Sequence, residues 1–163
     1  MDAYTCILTK RDTRAYQARP IPEESLRCIL QAGRMAGSAK NLQPCRFVVI
    51  RDGPKKRDLA TCGQFAQHIA SAPVVVAIVL PQDGREFDAG RCAQNMVLTA
   101  WAEGIASCPV TMHDGDCAMR VLGIPHGYRV SIVLAFGYPP PSGPRPKGTP
   151  RIPLEELVHR EGW

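Results

Sequence analysis

Three signatures that would settle a function quickly are missing from this 163-residue chain. No GxGxxG follows a predicted strand and no GxxxxGK[ST] occurs. Stable dinucleotide binding in a Rossmann crevice and a P-loop are therefore both excluded. The segment GRMAG closes a predicted helix and lacks the context that a phosphate-binding turn requires. Ser38, Ser71, Ser107 and Ser131 all lie outside any GxSxG elbow, so a serine nucleophile of the hydrolase type has no support. There are seven cysteines, an odd number, and no CxxC pair. Reduced thiols, most of them small core residues, are expected. Even the apolar run APVVVAIVLP is far shorter than the roughly 20 residues of a membrane-spanning helix, so no membrane association is expected. The opening MDAYTCILTKRD has no long apolar core, so no secretory leader is expected and the cytoplasm is the expected compartment.

The composition is that of a globular protein, with 45% hydrophobic residues and a formal charge of +5. Lys and Arg are dispersed rather than clustered on one stretch, which argues against a nucleic-acid partner. The length fits one domain, spanning 1–163. A short helix is expected over 2–10. PIPEESLRCILQAGRMAG reads as an amphipathic helix, with Pro22 in its first turn, Glu23 and Glu24 at its positive end, and Gly37 as its stop. RFVVIRD reads as a strand and GPKKRDLATC as a short helix. APVVVAIVLP reads as a central strand covered on both faces. EFDAGRCAQNMVLTAWAEGIA is the longest helix, SCPVTM a short strand, DGDCAMRVLGIP a helix and YRVSIVLAFGYP a further strand. The Pro-rich stretch 139–153 reads as an extended arm, and PLEELVHR as a closing helical turn or two. Strands and helices interleave, giving an α/β or α+β class with helices packed on a sheet.

Few residues carry chemistry. Cys108, His113 and Cys117 are either an incomplete metal set or a surface histidine with two core thiols. His68, His126 and His159 stand alone and read as structural. KRDTR, residues 10–14, is either an exposed basic turn or a phosphate clamp made by Lys10, Arg11 and Arg14, with Asp12 orienting one of them. SAKNLQP, residues 38–44, is either a polar surface loop or a ligand contact built on small residues.

Taken in order, the motifs resemble those of the nitroreductase family of FMN-dependent oxidoreductases. The family's RRSxRxF corresponds to KRDTRAY, its APSxxNxQPWxF to AGSAKNLQPCRF, and its DxGxAxQNxxLxAxxxGL to DAGRCAQNMVLTAWAEGI at 88–105. IASCPV, VLAFGYP and RIPLEELVH match further family segments, so the resemblance covers nearly the whole chain in a compact form without long helical insertions. Three departures stand out: Asp12 in place of Ser, Gly37 in place of Pro, and Cys45 in place of Trp. Cys45 removes a large packing residue and widens the space beside the flavin region.

The resemblance implies an α+β, three-layer fold with a mixed, mainly antiparallel sheet flanked by helices. It also implies a homodimer with FMN at the subunit interface. Lys10, Arg11, Asp12 and Arg14, with Arg151 from the arm, would hold the phosphate; the alternative for Arg14 is the flavin's pyrimidine edge. Ser38, Ala39 and Asn41 would reach the flavin held mainly by the other chain, with Gln43 and Pro44 fixing the turn. Pro109, Val110, Thr111 and Met112 would pass the reactive nitrogen, and Gln64 and Gln67 would face the ring's polar edge. NAD(P)H would serve as a transient co-substrate in a ping-pong cycle that reduces a small electron-poor acceptor, with no catalytic protein side chain and no metal. The alternatives are a specialised flavin enzyme of the same fold, for dehalogenation or flavin cleavage, and a flavin-binding protein without turnover.

Overall fold

The computed structural model describes residues 1–143 and 150–163. In chain order the elements are α1 (Ala3–Thr9), α2 (Glu23–Arg34), β1 (Arg46–Ile50), α3 (Gly53–Thr61), β2 (Val74–Pro81), α4 (Glu86–Ala102), β3 (Ala106–Val110), α5 (Gly115–Leu122), β4 (Tyr128–Gly137) and α6 (Leu154–Leu157). Side-chain caps start three of the helices. The Asp2, Asp52 and Asp114 carboxylates accept from the Thr5, Lys55 and Cys117 N–H groups at 3.0, 2.8 and 2.8 Å. Gly123, at φ 65°, ends α5 in the left-handed conformation that only glycine adopts freely.

The four strands form one antiparallel sheet in the order β1-β2-β4-β3. The apolar run of β2 therefore lies inside the sheet, and alternate residues serve opposite layers. Val74, Val76, Ile78 and Leu80 pack with Leu134 and Phe136 under α2 and α4. Val75 and Ala77 pack with Val133 and Ala135 under α3 and α5. Helices cover both faces, so the layering is the expected three-layer one. Among the described residues the parallel component is an isolated bridge between Asp12 and Ser107.

Two expectations need correction. The second helix ends at Arg34, not at Gly37. A Cβ at Gly37 would lie 2.9 Å from the Arg91 guanidinium, so this glycine admits Arg91 rather than stopping a helix. The thiols are not all reduced. Cys62 and Cys117 form a disulfide with a Cα–Cα separation of 5.5 Å. Cys62 caps α3 and Cys117 lies in the first turn of α5, and the packing of these two helices on one sheet face brings them together. Neither reading of the Cys108, His113 and Cys117 trio survives intact, because Cys117 is not a free thiol. Of the expected arm, residues 144–149 lie outside the described residues; α6 beyond them is a single exposed turn.

Candidate active site

The basic segment leaves α1 and runs beside β3 as if it were a fifth strand. The Thr13 N–H donates to the Ser107 carbonyl at 3.0 Å, and Asp12 pairs with Ser107 in a parallel bridge. Strand-like alternation follows: Thr13 is buried while Asp12 and Arg14 are exposed. Lys10 is ion-paired to Asp12. The Arg11 guanidinium folds back on the end of α1, donating to the Leu8 and Lys10 carbonyls at 3.1 and 2.7 Å. Three cations thus line one short ridge.

Beneath the ridge lies a layer that the sequence did not reveal. The buried Thr13 Oγ1, Tyr16 OH, His68 Nε2 and Ser107 Oγ atoms have no hydrogen-bond partner among the described residues. Buried polar atoms are usually paired, so four orphans in one place mark a site. Burial, and then the nearby Arg14 charge, hold the His68 imidazole below its usual pKa and favour its neutral form. Burial, then Cys108 and Asp12, push the Tyr16 phenol far up. The only sequence-level signal for this layer was the inward position of Thr13 between two outward charges.

The loop after α3 joins the same region. The Gln64 N–H donates to His113 Nδ1 at 3.1 Å, and Gln67 Nε2 donates to the Gln64 carbonyl at 3.2 Å. A Cβ at Gly63 would lie 3.2 Å from the Thr111 carbonyl, so this glycine lets the loop reach the segment after β3. Lys10–Arg14, Gln64, Gln67 and Pro109–Thr111 are therefore neighbours within one chain. Within that set, the Val110 and Met112 side chains are buried in the core below α3 and α5, which leaves their backbone for a ligand, while the Pro109 and Thr111 side chains are exposed.

Ser38–Gln43 lies apart from this cluster, against the first half of α4, where Arg91 donates to the Gly37 carbonyl at 2.7 Å. Lys40, Asn41 and Gln43 have φ of 51, 54 and 49°. Three non-glycine residues in the left-handed region within four positions store strain, which clusters at functional sites. The Ser38 hydroxyl holds the turn by accepting from the Gln43 N–H at 2.8 Å. No hydrogen bond among the described residues joins this turn to the basic ridge. Arg151 is exposed, and no hydrogen bond among the described residues joins it to either.

Comparison with known proteins defines the class. The nitroreductase family model matches residues 7–77 and 63–138, and the chain belongs to that family. An NADH dehydrogenase of Thermus thermophilus is 29% identical over 97% of this chain and 95% of its own length. An NADPH-flavin oxidoreductase of Vibrio harveyi is 27% identical over 96% of this chain and 72% of its own. A Desulfovibrio desulfuricans protein solved in complex with FMN is 28% identical and covers 100% of this chain and 98% of its own, with a TM-score of 0.88.

Proposed function

We propose that this chain is an FMN-dependent oxidoreductase that uses NAD(P)H to reduce small electron-poor acceptors, nitroaromatics or quinones, in a ping-pong cycle. We place it in the cytoplasm as a homodimer, with 1–163 acting as one nitroreductase-like unit and 139–153 as its arm. One observation carries this reading: Arg14, with Lys10 close by, sits at a layer of orphaned buried polar atoms beside the Gln64–Gln67 loop. An anion with further hydrogen-bonding groups fits that surface. Two of the similar proteins are named for a reduced nicotinamide, and two for or with a flavin.

FMN, when bound, supplies the redox chemistry between the nicotinamide and the acceptor. The residues of this chain bind and orient it. Lys10, Arg11 and Arg14 offer positive charge, with Arg151 arriving from the arm, and Asp12 holds Lys10 in place. Gln64 and Gln67 present amides that donate and accept. The Pro109–Thr111 segment offers backbone groups at its edge. Ser38, Ala39 and Asn41, on their separate and strained turn, serve a ring held by a second copy of the chain. No side chain is required as an acid or base.

The test is direct. Purified protein should release FMN, one per chain, and oxidise NADH or NADPH only when a quinone or nitroaromatic is supplied. Released FAD, or a colourless protein that ignores added FMN, would overturn the assignment. Bound FMN without turnover would leave a flavin-binding protein instead.

A further inference from the structure

The Cys62–Cys117 bond stands at the root of the loop that carries Gln64 and Gln67. Cys62 caps the end of α3, and the loop begins at the next residue. Weaker contacts cross the same gap close to the sulfurs. The Asp114 N–H donates to the Cys62 carbonyl at 2.9 Å. The Gln64 N–H donates to His113 Nδ1 at 3.1 Å, and the Phe65 ring meets the His113 imidazole edge-on with centroids 5.9 Å apart. Asp114 is joined to Cys117 in turn, because its carboxylate accepts the Cys117 N–H at 2.8 Å. Residues 62–65 are thus clasped to 113–117. Gln64, Phe65, His113 and Asp114 are all exposed, so water competes for every non-covalent part of the clasp. The disulfide is its durable part.

The two sulfurs differ in access. Cys62 is 2% exposed, whereas Cys117 is half-buried in the first turn of α5. An incoming thiolate therefore meets Cys117 Sγ first. The Asp58 carbonyl lies 3.6 Å from Cys62 Sγ and stands ready to accept an S–H there once the bond opens. Disulfides that occur in a cytoplasm are usually transient or redox-sensing, and a cytoplasmic chain that holds one at a loop root fits that use.

We propose that Cys62–Cys117 is a reversible thiol–disulfide couple, exchanged with a small-molecule thiol through Cys117, that holds or releases the Gln64–Gln67 loop and so controls FMN binding. The control of FMN rests on the flavin reading of that loop; the couple itself does not. Attack by the thiolate forms a bond between its sulfur and Cys117 and breaks the Cys62–Cys117 bond. Cys62 leaves as a thiolate and takes a proton from solvent. A second thiol attacks the first one's sulfur in the mixed disulfide and frees Cys117 as a thiol. Two external thiols are oxidised to one disulfide, and the protein's disulfide is reduced to two thiols.

The full chain is equilibrated in mixtures of reduced and oxidised glutathione, then acid-quenched, unfolded, alkylated and mapped by peptide mass. Cys62 and Cys117 should be unlabelled at the oxidised end and both labelled at millimolar reduced glutathione, with no denaturant present during the exchange. Amide hydrogen exchange over 63–67 should be faster in the reduced form. FMN should bind that form roughly fivefold to tenfold more weakly, the worth of about one hydrogen bond in a site no longer held in place. Cys117→Ser should match the reduced form in both measurements and cease to respond to glutathione. If C117S does not fold, the two states of the unaltered chain still decide. A bond that stays closed at millimolar glutathione, or one that opens with exchange over 63–67 unchanged, would overturn the couple. Equal FMN affinity in the two forms would overturn the control of binding. FMN ignored by both forms would overturn the flavin reading instead, with the exchange comparison still deciding the clasp.

Discussion

Arg11 and Arg14 belong to one short motif but face different neighbours. Arg11 is folded onto the last carbonyls of α1, whereas Arg14 lies near His68 and Cys108. Arg11→Ala should weaken FMN by about 1.5–3 kcal/mol and leave riboflavin, which lacks the phosphate, almost unchanged. Arg14→Ala should weaken both ligands and lower the flavin's reduction potential; an effect on FMN alone would put Arg14 in the phosphate clamp. Fluorescence titration of both ligands against both variants separates these outcomes, and silence in all four would dissolve the site. His68 gives a prediction in pH. Its pKa is lowered on folding, so the unfolded chain binds the extra proton more readily. Stability should therefore hold above the ordinary histidine pKa of about 6.5 and fall as the pH drops below it. Denaturant melts of His68→Gln should show a flatter profile across that range. The charges of KRDTRAY were legible in the sequence because charge is a property of single residues. The orphan layer was not, since Thr13, Tyr16, His68 and Ser107 are unremarkable until the segment docks beside β3.

Most elements could be read from periodicity. The β2 run announces a strand buried on both faces, and the observed sheet puts it between β1 and β4 with alternate side chains in different layers. The order of helices and strands also follows the expected sequence of patterns. What failed was the meaning of individual punctuation. Gly37 looked like a helix stop but lies beyond the end of α2 at Arg34, where it packs against the Arg91 guanidinium. Gly137, at the end of β4, is a stronger case. An added Cβ would lie 2.7 Å from both the Pro73 ring and the Tyr16 ring. Neither ring can retreat as a flexible chain end can. Gly137→Ala should cost about 1–3 kcal/mol, the range for overpacking, seen as a lower thermal midpoint. A midpoint equal to that of the unaltered protein would mean that the KRDTRAY segment is not held against β4.

At the scale of the whole molecule, the exposed apolar residues have a pattern. Tyr4, Ile7 and Leu8 on α1, and Ile152, Leu154, Leu157 and Trp163 in the last segment, are all more than half exposed. The proposed second copy would cover surface of this kind, and the separation of the Ser38–Gln43 turn from the ridge fits the same proposal. Sedimentation at micromolar concentration should give a dimer for the full chain and a flavin-free species for a chain ending at Gly143. A flavin-loaded monomer would contradict the shared site. The Cys62–Cys117 bond has a different reach. It makes a covalent ring that holds β2, α4 and β3 inside it, with α1, α2, β1 and α3 on one tail and most of α5, β4 and α6 on the other. A chain so tied cannot expand fully when it unfolds. With a sequence separation of 55 the tie should restrict the denatured ensemble by roughly 4 kcal/mol. The oxidised chain should accordingly show a shallower denaturant slope than the reduced one, because the ring keeps its denatured form compact.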